Sequence, residues 1–92
     1  MIETKIYFSY ENFSQLTEII EFAKVGIKAF TYYKTTGIFE NKLENSCIIE
    51  IINDDSVFLK AKLEHLVGFI KLTAKQDCVL ITKKKLFYSE LL

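Results

Sequence analysis

The chain has 92 residues, with twelve basic side chains, twelve acidic ones and one His, so its formal net charge is zero and its length suits one domain over residues 1–92. Half of the residues are hydrophobic and 14% are aromatic, which excludes the low-hydrophobicity, high-charge composition of a disordered chain. Every basic residue is Lys; without a guanidinium fork and without net positive charge, the chain lacks both bidentate base reading and long-range attraction to a polyanion, which argues against nucleic acid as the partner.

Met1 to Tyr10 carries Glu3 and Lys5 and lacks the apolar run of a secretory leader, and no stretch reaches about 18 uncharged apolar residues. The expectation is a soluble cytoplasmic protein with no membrane partner. Within Lys5–Tyr10, Ile6, Phe8 and Tyr10 alternate with Tyr7 and Ser9, the period of a strand. Phe13, Leu16, Ile20 and Ala23 then recur at helical spacing. Asn12 and Gln15 form a capping box ahead of them, and Gly26 stands where a C-terminal cap belongs, so a helix is expected from about Phe13 to Val25.

Alternation resumes from Ile27 to Lys34, and Thr35-Thr36-Gly37 offers a turn. Ile38 to Asn45 is polar and reads as a long hairpin tip, whereas Ser46 to Asn53 is β-branched and continuous, as a strand covered on both faces should be. Asn53 to Ser56 supplies turn and N-cap chemistry for a second helix. Its stripe is Leu59, Leu63, Leu66, Val67 and Ile70, which stays in phase through Gly68 and carries the helix to about Lys75. Cys78 to Thr82 is the last strand, followed by a solvated lysine turn, Lys83 to Lys85, and an apolar tail from Leu86.

The order βαββαβ implies a ferredoxin-like α+β domain, a four-stranded antiparallel sheet with both helices on one face. Strands three and four then flank strand one, which keeps Cys47 and Cys78 apart as buried free thiols. The other sheet face is open, and strand parity fills it with apolar groups. Tyr7 points there if Ile6 and Phe8 face the helices. Glu50 belongs there because a lone carboxylate beneath the helices is costly, and it brings Ile48 and Ile52 with it. Phe30 and Tyr32, in phase with Lys28 and Lys34, complete the expected partner-binding patch, which serves a protein partner or self-association as a dimer or trimer.

Catalytic signatures are absent: no glycine-rich phosphate loop, no Gly-x-Ser-x-Gly elbow, no Cys/His pair in register. His65 has no second ligand at metal spacing, and Asp54 and Asp55 are neighbours at a helix start, as caps are. The expectation is a protein that is not an enzyme and holds no cofactor or metal.

Lys5-Ile6-Tyr7-Phe8-Ser9-Tyr10 resembles the first-strand motif of RNA-recognition modules, but Ser46 to Asn53 lacks the second stacking motif and Glu50 repels phosphate. Glu44-Asn45-Ser46 and Gln76-Asp77-Cys78-Val79-Leu80 resemble a pattern of small proteins of phages and mobile elements, in which Glu-x-Ser opens one strand and Gln-(Asp/Glu)-x-Val-Leu opens the last. Short length, absent catalytic groups, neutral charge and a surplus of apolar surface point to a small interaction module, and with the resemblance the expectation is a phage or mobile-element protein that binds and inhibits a host defence or regulatory protein. The element order, with its long segment between strands two and three, is also similar to the PII and CutA group, which implies an oligomeric sensor of a small ligand or nucleotide. Lys34, Lys42 and Lys83 are the candidate anion contacts of that alternative.

Overall fold

A computed structural model describes residues 1–54, 57–87 and 90, with the side chains of residues 57 and 58 left out. The elements run β1 (Ile2–Tyr10), α1 (Phe13–Gly26), β2 (Thr31–Phe39), β3 (Lys42–Asn53), α2 (Val57–Thr73) and β4 (Leu80–Lys85). The strands form one antiparallel sheet in the order β2-β3-β1-β4, the ferredoxin-like arrangement expected from the element order. No helix among the described residues is long and apolar enough to cross a membrane.

Register assigns the two faces. Thr4, Ile6 and Phe8 of β1 and Cys47, Ile49 and Ile51 of β3 are buried against the helices, together with Leu16, Ile19 and Ala23 of α1 and Leu63, Leu66 and Ile70 of α2. Phe22 and Phe69 stack across the two helices with ring centroids 4.1 Å apart. The start of α1 is the capping box expected: Asn12 Oδ1 accepts from Gln15 N–H at 3.0 Å, while Gln15 Oε1 reaches one residue further back, to Glu11 N–H, at 2.7 Å. Gly26 is the last helical residue rather than a left-handed cap; the cap is Ile27, whose N–H donates to the Ala23 carbonyl.

Several boundaries differ from the sequence reading. Ile27 to Phe30 is a connector, and β2 starts at Thr31 and continues through Thr35-Thr36-Gly37. The hairpin turn is at Glu40 and Asn41, both at left-handed φ (50° and 64°), the two-residue geometry whose twist matches that of the strands. The stretch 38–45, read as a tip, is therefore mostly paired strand. Likewise β4 begins later than Cys78 and absorbs Lys83–Lys85, which are strand residues and not a turn. α2 is continuous through Gly68. Cys47 is buried, whereas Cys78 is exposed, in contrast to the expectation of two buried thiols; neither is bonded. Of the expected second cap, Asp55 and Ser56 lie outside the described residues, as does most of the tail; Leu86 N–H donates to the Met1 carbonyl.

Candidate functional site

The open sheet face holds Tyr7, Ile48, Glu50 and Ile52, as parity requires. Phe30 and Tyr32 are not there. Thr31 pairs with Glu50 and Tyr33 with Ile48, which places Tyr33 on the open face and Tyr32, opposite Ile49, on the helix side at the edge. Phe30 precedes the strand and packs partly buried against the core. The two-residue period extrapolated from Ile27 fails because the connector sends both Ile27 and Phe30 inward, three positions apart.

The residues that do share this face form rows across it. Tyr33, Ile48, Tyr7 and Leu80 are register partners in one line over all four strands, an apolar row that sequence parity alone located only in part. Beside it runs a polar row, Thr31, Glu50, Lys5 and Thr82. Lys5 Nζ lies 3.9 Å from Glu50 and 3.7 Å from Glu3. Tyr33 first and then Glu3, with Tyr7 and Glu50 adding, raise the Lys5 ammonium pKa above its ordinary value, against the smaller lowering from burial. Lys5 thus pairs with carboxylates on this face, and the apolar patch expected around Glu50 is one row deep.

A second region gathers polar groups. β4 begins opposite Tyr7, so Phe8, Ser9 and Tyr10 extend past it, and the chain leaving α2 fills the space beside them. That chain turns sharply: Lys75 takes a left-handed φ of 55° and Gln76 N–H donates back to the Lys71 carbonyl at 3.0 Å, the bond that closes a Schellman-type helix end. The turn delivers Gln76 Nε2 as a donor to Ser9 Oγ. Glu44 and Asn45, at the base of the β2–β3 hairpin, arrive from the other side because Asn45 pairs with Tyr10. The result is an open cleft of about 490 Å³ lined by Ser9, Tyr10, Glu11, Leu43, Glu44, Asn45, Ala74, Lys75 and Gln76.

Glu44-Asn45 and Gln76, about thirty residues apart in sequence, thus meet across the Ser9 end of β1. The elements were legible separately, but their meeting required the loop after α2, which carries no periodic signal. Lys34, Lys42 and Lys83 form no such cluster. Lys34 lies over the Phe13 ring, 5.6 Å from its centroid, and Lys42 sits beside the hairpin turn, while Lys83 is on β4 at the opposite edge. The cation of the cleft is Lys75. Among the described residues no group of three or more His, Cys, Asp or Glu is placed to hold a metal ion.

No family model matches the chain, and no curated protein matches it. Solved structures do match. A phage SAM lyase in complex with S-methyl-5'-thioadenosine aligns over 91% of this chain and 80% of its own, with a TM-score of 0.68 and 16% identity. A DUF3240 family protein from Shewanella baltica aligns over 99% and 96%, at 0.64 and 12%. The divalent ion tolerance protein CutA1 from Ehrlichia chaffeensis aligns over 96% and 84%, at 0.49 and 12%. At these identities, the likeness to the lyase and to the Shewanella protein is one of fold: this chain shares a ferredoxin-like fold with a phage protein and a Shewanella protein.

Proposed function

We propose that the chain binds a small adenosyl compound, a thioether or its sulfonium, in the cleft between the Ser9 end of β1, the hairpin base and the turn after α2. The observation that carries this reading is the convergence of Ser9, Glu44, Asn45 and Gln76 from three segments around one polar cleft of ordinary ligand size. The carboxamides of Asn45 and Gln76 each offer a donor and an acceptor, which suits a base edge or a ribose diol. Tyr10 supplies a ring face, the Glu44 carboxylate complements a sulfonium or ammonium, and Lys75 complements a carboxylate. The fold neighbour that carries a methylthioadenosine supports the ligand class.

The test follows binding. Calorimetry and thermal unfolding with S-adenosylmethionine, S-methyl-5'-thioadenosine and ATP should show selective stabilisation by the first two. A ligand at a hundredfold excess over its Kd adds about 2.7 kcal/mol. Glu44→Gln and Gln76→Ala should remove the effect, and flat profiles with all three compounds would overturn the reading.

A second reading, a module that binds and inhibits a host protein through the open sheet face, is favoured by the Tyr33–Ile48–Tyr7–Leu80 row. A photo-crosslinking residue at position 33 should trap one discrete protein in cells; trapping of nothing discrete would retire it.

A further inference from the structure

The β2–β3 hairpin continues past the sheet. β1 ends opposite Asn45, so the rungs Gly37–Glu44, Ile38–Leu43 and Phe39–Lys42 project as a two-stranded arm. Its tip is apolar without cover: Ile38, Phe39 and Leu43 are 74%, 61% and 76% exposed. The two-residue turn at Glu40 and Asn41 fixes the tip, so docking it would cost little ordering entropy. At the opposite edge of the sheet, α2 and β4 enclose a groove of about 360 Å³ with Leu63, Val67, Gly68 and Ile81 in its wall and Lys60, Lys71, Lys83 and Glu64 around it. Gly68 leaves that groove open: a Cβ there would meet nothing within 4 Å. A helix-interior glycine is less favourable than Ala, so packing does not account for it.

We infer that the arm of one molecule seats its apolar tip in the α2–β4 groove of a second copy of the chain. Charge favours this occupant, since three lysines against one glutamate surround the groove while the arm carries Glu40 and Glu44 against Lys42. The arm cannot satisfy its own groove. β2 and β4 are the two edges, separated by β3 and β1, about 14 Å at ordinary strand spacing. The contact is therefore intermolecular, exchanged reciprocally in a two-fold dimer or repeated head-to-tail into a ring or filament, and it leaves the open sheet face uncovered.

Light scattering over a concentration series tests this inference independently of any ligand. The wild type should exceed monomer mass as concentration rises. Ile38→Ser with Leu43→Ser should return it to monomer, as should Gly68→Leu, which fills the groove while improving helix propensity and so keeps or raises Tm. Glu40→Lys should weaken association about fivefold, the range of an exposed ion pair, and adding Lys83→Glu in the same chain should restore it. A wild type that stays monomeric at the highest soluble concentration overturns the inference. So does an assembly that survives the arm and groove variants and is lost with Tyr7→Ser and Ile48→Ser. Circular dichroism of each variant confirms that the fold is kept.

Discussion

Cys47 has no exposed surface, and burial pushes its thiol pKa from 9 to about 11. An unfolded chain therefore loses the thiol proton near pH 9 while the folded chain keeps it. Folding stability should be unaffected by this group below pH 9 and fall as pH rises from 9 to 11, by about 2 kcal/mol. Cys47→Val should flatten that alkaline decline in urea titrations. Lys75 offers a second check: it holds a left-handed φ without being glycine, so Lys75→Gly should raise stability by about 1 kcal/mol, as a Lys beside a ligand cleft can be retained at a cost in stability. At this scale the sequence was legible where one residue had only one affordable environment. Glu50 could be assigned to the open face on desolvation alone. Tyr32 and Tyr33 could not be told apart, because adjacent tyrosines suit either face and only the pairing partner of β3 decides between them.

Helices were read closely because caps and stripes are local. Asn12 and Gln15 mark the start of α1 in the sequence itself, and Ile70 kept α2 in phase across Gly68. Strand ends were less legible. Gly37 looks like a turn residue, yet it lies inside β2, where an added Cβ would stand 2.9 Å from Ser46 Oγ; the glycine admits a close neighbour instead of a reversal. Gly26 also adopts an ordinary helical φ, and a Cβ there would make normal contact with Lys62 at 3.6 Å. Gly26→Ala should accordingly stabilise by about 0.5–1 kcal/mol in chemical denaturation. Lys83 to Lys85 read as a turn in the sequence because a charge run resembles one, yet they belong to β4. On an exposed edge strand they serve to discourage pairing with other chains. β4 is bonded on one side only and exposed throughout, so its amides should exchange with solvent before those of β3 in a hydrogen-exchange time course.

For the whole molecule, element order was sufficient to give the sheet, and the sheet gives the relation between the thiols. Cys47 is buried in β3 on one side of β1, while Cys78 is exposed in the segment that leads into β4 on the other side, so β1 stands between the two thiols. Mild oxidation should yield dimers joined through exposed Cys78, abolished by Cys78→Ser, and no intramolecular bond on a peptide map. The cleft was not legible in the same way. Ser9, Glu44 and Gln76 belong to different elements, and what unites them is the overrun of β1 past the start of β4, a property of register that no local pattern records.

That register also orders events in time. Ile2 stands opposite Lys85, so one flank of the strand made first waits for the strand made last. A nascent chain that has emerged as far as Asn53 can assemble β1, β2 and β3, but the β1 edge stays bare until β4 follows α2 out of the ribosome. Folding on the ribosome would then proceed through a three-stranded intermediate whose final rung is the slow, long-range closure.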